Sequence, residues 1–161
     1  MRKISLNGIW QMCGAGYECE GTVPGSVYSF LLDKGLMEDP FYGMNELDAL
    51  KLLDNEFTFT KTFDFSPTGD TVLLHCDGLD TLCDIYINGE HLAYTDNMHR
   101  TYEFDVTAQL KAGENVISIL FHPPIPYITE KQKEETVYEP WHCTVGAGHI
   151  RKAHCMMGWD W

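Results

Sequence analysis

An aspartate stands between two tryptophans in the last three residues of the sequence, Trp159, Asp160 and Trp161. Two flat apolar rings beside a strong hydrogen-bond acceptor suit a sugar, because its C–H faces stack on aromatic rings while its hydroxyls bind carboxylates. In the alternative interpretation both indoles belong to a core and Asp160 caps a turn, and motifs this short often occur by chance. Spacing alone favours this alternative interpretation, and the sugar-binding one stays open.

Metal binding is the other chemistry that residues near the end of the chain suggest. Histidines and cysteines gather there, namely His142, Cys143, His149, His154 and Cys155. Zinc sites use these residue types, but no two of them show the ligand spacing of a known zinc scaffold. The sequence therefore predicts no metal site, and nothing in it calls for a cofactor.

The composition indicates one soluble globular domain. Of 161 residues, 44% are hydrophobic and 22% are charged, as in ordinary domains with a substantial core. The 24 acidic residues against 11 basic ones give a net charge of −13 at pH 7, which repels phosphate backbones and anionic lipid. No run of about 20 apolar residues is present to form a membrane span. We therefore expect neither a nucleic-acid partner nor a membrane partner.

The N-terminus and the cysteines bear on the cellular compartment. Residues 1–7 include Arg2 and Lys3 but no apolar stretch of the kind found in secretory signals, so we expect a cytoplasmic protein. The six cysteines form no C-x-x-C pair, and a chain of this length needs no disulfides to build a core. We expect reduced, mostly buried thiols.

Short alternating strands dominate the local pattern. Apolar and polar residues alternate from Phe57 to Phe65, with Lys61 as the exception. Asn88 and Gly89 supply the two positive-φ residues of a type I′ hairpin. Strands are expected at 57–65, 71–76, 82–88, 90–94, 100–106 and 115–122. About seven short strands predict an all-β fold, an antiparallel β-sandwich with jelly-roll topology as the leading choice.

One or two short helices complete the expected fold. Ser26 is a suitable N-cap for a helix over 27–34 that Gly35 would end, and a second helix is expected from Glu46 to Leu53. Prolines at 123, 124 and 126 follow the last strand. Because proline cannot donate to a ladder, we expect an extended, turn-rich stretch from there through Pro140.

Several ordered motifs carry a family resemblance. They are Leu6-Asn7-Gly8-Ile9-Trp10, Val23-Pro24-Gly25-Ser26-Val27, Asp39-Pro40-Phe41-Tyr42-Gly43-Met44-Asn45-Glu46, Asp77-Gly78-Leu79-Asp80-Thr81, Ile87-Asn88-Gly89, Thr95-Asp96-Asn97-Met98, Arg151-Lys152-Ala153 and Gly158-Trp159-Asp160-Trp161. In this order they resemble the N-terminal sugar-binding domain of β-mannosidases in glycoside hydrolase family two. The resemblance runs over essentially the whole chain. It implies a galactose-binding-domain-like jelly roll over residues 1–161, a fragment of a longer enzyme with immunoglobulin-like modules and a (β/α)₈ barrel.

The resemblance also implies where the chemistry lies. A retaining glycosidase needs two carboxyl groups about 5–5.5 Å apart, and both of the family's catalytic glutamates lie in the barrel, so no residue of this chain is catalytic. The Trp-Asp-Trp segment is similar to one that lines the −1 sugar subsite. Asp160 is thereby expected to accept hydrogen bonds from sugar hydroxyls, with Trp159 and Trp161 as walls. A β-mannoside or related oligosaccharide and the barrel of the parent chain are the expected partners.

Asn45 and Glu46 need a separate interpretation. They imitate the Asn-Glu pair that carries the acid/base in this clan, but the resemblance places them in the sandwich, not at the end of a barrel strand. Asn45 is a further candidate for the border of the sugar pocket. The alternative, slightly favoured, is a helix N-cap followed by an exposed first-turn acid. Asp96 and Asn97 are expected to serve a turn.

Three functions therefore compete. The first is an accessory domain of an exo-acting β-mannoside hydrolase, inactive alone. The second is a stand-alone carbohydrate-binding module, because jelly rolls serve that role widely, and the third is a protein-interaction sandwich. A free-standing module would display several aromatics on one face, whereas here the aromatics mostly alternate into the core. That pattern favours the first function.

Overall fold

The computed structural model describes residues 3–138 and 144–157 as an antiparallel β-sandwich with short helices. The strands are β1 (Gly8–Gly14), β2 (Tyr17–Val23), β3 (Phe57–Phe65), β4 (Leu73–Cys76), β5 (Cys83–Ile87), β6 (Glu90–Thr95), β7 (Tyr102–Asp105) and β8 (Gly113–Phe121). The helices are α1 (Val27–Asp33), α2 (Glu46–Leu50) and α3 (Pro124–Glu134), with 3₁₀ turns at Lys51–Asp54, Ala147–His149 and His154–Met157. The predicted fold class is confirmed. No described helix is long and apolar enough to cross a bilayer.

The two sheets of the sandwich are unequal. Among the described residues, one sheet has six strands in the order β2-β1-β3-β8-β5-β6, and the other has β4 and β7. Every pairing is antiparallel. Alternate residues of the large sheet point inward and meet Leu74, Leu79 and Val106 from the opposite side. The period-two pattern therefore places the core between the sheets.

The predicted hairpin and first helix are confirmed. Asn88 and Gly89 both have positive φ, 52° and 83°, at the turn between β5 and β6. The Ser26 hydroxyl accepts a hydrogen bond from the amide of Ser29 at 3.2 Å, and the Ser29 hydroxyl accepts one from the amide of Ser26 at 2.8 Å. This capping box starts α1, which places Phe30 in the core against Gly21 of β2.

The expected extended stretch after β8 is wrong for residues 124–134, because these form α3. Pro123 is the N-cap and Pro124 opens the helix. A proline in the first turn loses no hydrogen bond, since amides there have no partner within the helix. The prolines thus mark the start of a helix, and Ile128 buries that helix against Leu82 and Ile150. Residues 139–140, at the end of the expected stretch, lie outside the described residues.

The expectation of mostly buried thiols is only partly correct. Cys83 is buried, Cys19 and Cys76 are partly buried, and Cys13 and Cys155 are exposed, all as free thiols. Burial raises the pKa of Cys76 and of Cys83 to about 11. These two thiols are therefore protonated and unreactive at neutral pH.

Candidate functional site

Of the four predicted substrate-binding residues, only Asn45 lies in the part of the chain that the structure describes. It occupies the N-cap position of α2, as the alternative interpretation predicted, but its side chain makes no capping bond. Its Nδ2 donates instead to the carbonyl oxygen of Asp39 at 2.9 Å. The Asp39 carboxylate accepts from the amide of Phe41, also at 2.9 Å. Asn45 therefore holds a loop closed, and its next residue, Glu46, is an exposed first-turn acid.

This loop and α2 display a large apolar surface. Phe41 is 97% exposed, Tyr42 78% and Met44 66%. Leu47 and Leu50 on α2 are about half exposed. We call these five residues the 41–50 surface. Large apolar side chains left exposed within ten residues of sequence are typical of an interaction site.

The segment that leads to Trp159, Asp160 and Trp161 is anchored to the sandwich, although these three residues lie outside the described ranges. Arg151 forms a parallel bridge with Asn97, and its carbonyl accepts from the amide of Met98 at 3.0 Å. Lys152 binds the carboxylate of Asp80 at 2.5 Å. Residues 151–152 are thereby fixed a few positions before the predicted sugar-binding tripeptide.

The turn after β6 has a structural role that the sequence analysis predicted. Asn97 Oδ1 accepts from the amide of His99 at 2.9 Å, which is an Asx turn. Asn97 of the same turn also forms the parallel bridge with Arg151 described above. The Thr95–Met98 motif therefore positions the C-terminal segment.

Helix α3 connects the two regions that carry predicted site residues. It packs against the 3₁₀ turn Lys51–Asp54, which follows α2, and against the turn Ala147–His149, which precedes the C-terminal segment. His149 Nε2 shares a hydrogen bond of 2.9 Å with Gln132 of α3. Gly146 has φ of 88° and approaches the carbonyl of Ile128 so closely that a Cβ would lie 2.6 Å away. One helix thus holds both regions in place.

A network of ionisable side chains lies on the outer face of the large sheet, and the sequence analysis did not predict it. Asp84 Oδ1 lies 2.6 Å from His91 Nε2, and its Oδ2 lies 2.7 Å from His122 Nε2. Glu56 meets Nδ1 of His122 at 2.9 Å. These residues are 7 to 66 positions apart along the chain, so only strand pairing brings them together.

The surroundings of His122 and Asp84 favour the charged forms of these two side chains. Partial burial lowers the pKa of His122, but hydrogen bonds to Asp84 and Glu56 outweigh that effect and leave it raised. Burial likewise opposes ionisation of Asp84, yet the two histidines lower its pKa overall. Opposite charges in contact stabilise each other in this way. The arrangement is an ion-pair network on the sheet surface.

A groove of about 660 Å³ opens along one flank of the sandwich. Its walls are mostly apolar, and the ionisable side chains among its lining residues include His75, Asp77, Asp80, His122 and Lys152. Asp77 is bound to His75 at 2.8 Å and Asp80 to Lys152, so both carboxylates are held in ion pairs. Within residues 3–138 and 144–157, no group of three or more His, Cys, Asp or Glu is arranged to hold a metal ion.

Comparisons with known proteins agree with this architecture. Residues 10–161 match the family described as glycosyl hydrolase 2 galactose-binding domain-like. The β-mannosidase of Bos taurus is 37% identical over 172 residues, which cover 98% of this chain and 19% of that protein. The β-mannosidase of Capra hircus is 34% identical over the same shares. The chain therefore spans about a fifth of the length of these relatives.

A solved structure shows the same fold over the whole chain. The β-D-mannosidase of Dictyoglomus thermophilum superposes with a TM-score of 0.88 at 29% identity, covering 100% of this chain and 20% of that one. This chain belongs to the glycosyl hydrolase 2 galactose-binding-like domain family.

Proposed function

We propose that this chain is the N-terminal accessory domain of a longer β-mannosidase-like glycoside hydrolase. The β-mannosidase relatives match it over nearly its full length and extend far beyond it. A retaining mechanism needs two catalytic carboxylates, which this proposal assigns to a barrel outside the chain. The parent protein would be an exo-acting enzyme on β-mannosides or related oligosaccharides.

The 41–50 surface is the observation that carries this proposal. An aromatic side chain such as Phe41, 97% exposed, is costly to leave in water, since burial of a large apolar side chain contributes roughly 1.5–3 kcal/mol. Hydrogen bonds from Asn45 and Phe41 to Asp39 hold the loop in this exposed form. An ordered apolar loop suits a permanent contact with another domain, which we assign to the catalytic barrel of the parent.

The sugar contacts in this proposal come from the C-terminal tripeptide. Asp160 accepts hydrogen bonds from hydroxyls of the sugar in the −1 subsite, and Trp159 and Trp161 form its walls. Support comes from the motif and from the anchoring of residues 151–152 by Asn97 and Asp80. Asn45 borders the same pocket by supporting the loop that meets the barrel.

Turnover measurements on two proteins test the proposal. The full-length gene product is expected to hydrolyse an aryl β-mannoside, and the 161-residue chain is expected to show no turnover above buffer. Turnover by the 161-residue chain that disappears in Glu46→Gln would assign the chemistry to this domain and overturn the proposal. So would a full-length protein that folds and has no glycosidase activity.

Sugar binding distinguishes an accessory domain from a stand-alone carbohydrate-binding module. A subsite built from two domains offers only part of its hydrogen bonds when one is absent, while the ligand still loses its freedom on binding. We expect calorimetry to detect weak or no mannose binding by the 161-residue chain. Micromolar affinity would support the binding-module alternative instead.

Substitutions in the 41–50 surface test the domain contact. Phe41→Ser in the full-length protein is expected to lower its thermal stability and activity together, because it removes an apolar contact at the domain boundary. Ile9→Ser is the control, since Ile9 is another exposed apolar side chain, at 53%, but lies on β1 and outside the 41–50 surface. Equal effects of the two substitutions would contradict the proposed contact.

A further inference from the structure

Two loops of the sandwich hold residues 151–153. The first is the turn 95–98, which follows β6. In this turn the amide of Met98 donates to the carbonyl of Arg151 at 3.0 Å. The amide of Ala153 donates to the Met98 thioether, also at 3.0 Å, and a thioether can act as a weak acceptor. Met98 therefore binds the backbone on both sides of Lys152, which fixes the direction of this backbone as well as its position.

The second loop, 77–81, follows β4 and holds the side chain of Lys152. Oδ2 of Asp80 accepts from Nζ of Lys152 at 2.5 Å, and the two side chains are only 32% and 18% exposed. Oδ1 of Asp80 accepts from the hydroxyl of Thr81, so the carboxylate is itself held in place. Because both charges are partly withdrawn from water, removal of one partner leaves the other poorly solvated. The pair is therefore a stronger constraint than an exposed surface ion pair.

The two loops are bonded to each other. The hydroxyl of Thr95 donates to the carbonyl of Thr81 at 3.4 Å, and both residues are buried. Loop 77–81 leads towards β5 and the turn 95–98 leaves β6, and these strands pair with Cys83 opposite Thr95. The contacts of Asp80 and of Met98 with the C-terminal segment therefore belong to one rigid end of the β5–β6 hairpin.

This end of the hairpin is close along the chain to the proposed sugar contact. A 3₁₀ turn covers His154–Met157, and a 3₁₀ helix advances about 2 Å per residue. With at most about 3.6 Å for each residue after that turn, Asp160 can lie no farther than roughly 19 Å from Ala153. A change in the direction of the backbone at residues 151–153 is therefore passed on to Asp160.

We infer that Asp80 and Met98 are positioning residues for Asp160, because they set the direction of the segment that carries the sugar contact. The inference rests on the proposed function, since it takes Asp160 as the residue that binds the sugar in the −1 subsite. Asp80 and Met98 act through that segment and do not touch the substrate. A displacement of about 1 Å, even one caused far from the reacting atoms, can cost roughly a hundredfold in rate.

Asp80→Asn in the full-length protein tests the role of the ion pair. The substitution keeps the size of the side chain and removes the charge that faces Lys152. We expect kcat on an aryl β-mannoside to fall about tenfold or more while KM changes less, because the Asp160 contact tightens at the transition state. Glu130→Gln, in an exposed pair with Lys133, is the control that should change neither constant. Parental kcat in Asp80→Asn would overturn the inference.

A double substitution distinguishes positioning from a general structural role. If Asp80 acts through Asp160, the variant Asp80→Asn/Asp160→Ala should have about the same kcat/KM as Asp160→Ala alone, because the contact to be positioned is already absent. Losses that multiply in the double variant would show that Asp80 acts independently of Asp160, and the inference would then be wrong.

Met98→Leu tests the second contact with a change that nearly conserves volume. It removes the acceptor of the Ala153 amide and leaves the backbone bond to Arg151 intact. The loss of one neutral hydrogen bond is expected to lower kcat about two- to tenfold. Met37→Leu is the matched control, at a partly buried methionine that packs against the main core. Equal kcat values of the two variants would overturn the assignment of Met98.

Failure of this inference and failure of the proposed function give different results. A folded full-length protein without glycosidase activity, or parental kcat/KM in Asp160→Ala, would overturn the proposed function or its sugar contact. An active parent that is impaired by Asp160→Ala, but not by Asp80→Asn, would overturn the inference alone. Impairment by both single substitutions, without a further loss in the double variant, supports it.

Discussion

Nδ2 of Asn88 donates a 2.9 Å hydrogen bond to Oδ1 of Asn115, which joins the β5–β6 hairpin turn to the start of β8. Asn115 is fully buried, and its Oδ1 also accepts from the amide of Lys111 at 3.0 Å. Its Nδ2 donates to the carbonyls of Lys111 and Gly113. The Asn115 side chain thereby satisfies the backbone hydrogen-bonding groups of Lys111 and Gly113 at the start of β8. It also links this segment to the β5–β6 hairpin.

We expect Asn115→Ala to destabilise the fold strongly. The substitution removes four hydrogen bonds, each contributing about 0.5–1.5 kcal/mol, and leaves buried partners unsatisfied. The free energy of unfolding should therefore fall by roughly 2–6 kcal/mol, measured by urea denaturation. Asn7→Ala is the control at an exposed asparagine, where a change within about 0.5 kcal/mol is expected. A similarly small change at Asn115 would contradict the role of the network.

Glycine at position 21 is required by the packing of α1 on β2. A Cβ at Gly21 would lie 2.3–2.5 Å from ring atoms of Phe30, which is fully buried. We expect Gly21→Ala to cost about 1–3 kcal/mol through overpacking. At Gly78 an added Cβ meets nothing within 4 Å and φ is not positive, so Gly78→Ala serves as the control with little change. Comparable losses in the two thermal melts would refute the packing argument.

The network around His122 predicts a pH dependence of stability. The folded state raises the pKa of His122, so this contribution is complete below the ordinary value of 6.5 and is lost as the pH rises through the folded value. The folded state lowers the pKa of Asp84, so that contribution is present above 3.8 and is lost as the pH falls. The network therefore stabilises most between about pH 4 and 6.5.

His122→Gln tests this window. The difference in melting temperature between the parent and the variant should be largest between about pH 4 and 6.5 and should shrink as the pH rises through the raised pKa of His122. His99→Gln is the control, because His99 is exposed and its side chain makes none of the described ion pairs. A difference that stays constant across this pH range would show that His122 acts through packing and not through its charge.

The elements that local chemistry determines were predictable from the sequence. Asn88 and Gly89 predict a type I′ turn, and Ser26 predicts the start of α1. Both features depend on a residue and its immediate neighbours. Helix α3 was missed, since a proline cluster suits both an extended stretch and the first turn of a helix. What decides between them is the burial of Ile128 against Leu82 and Ile150, a contact across the fold.

The candidate site was predictable only in part for the same reason. Asn45 was correctly placed at the start of a helix, but its bond to Asp39 depends on the loop closing. The exposure of Phe41 and Tyr42 was not visible, because alternation and hydropathy assign aromatics to a core. The ion pairs of Asp84 with His91 and His122 require the pairing of β5 with β6 and β8, which no local pattern reports.

Asp160→Ala in the full-length protein tests the sugar contact proposed for the C-terminal tripeptide. A hydrogen bond to a charged acceptor contributes roughly 1.5–3 kcal/mol. If it tightens at the transition state, kcat/KM should fall about ten- to a hundredfold, since each 1.36 kcal/mol is about a factor of ten. The melting temperature should stay close to that of the parent.

A structural role for Asp160 gives the opposite pattern in the same two measurements. Loss of a turn cap costs on the order of 1 kcal/mol of stability and leaves the activity of each folded molecule intact. Asp64→Ala, at an exposed carboxylate on β3, is the control that should change neither quantity. An unchanged kcat/KM together with a lower melting temperature would therefore assign Asp160 to the turn and remove it from the sugar subsite.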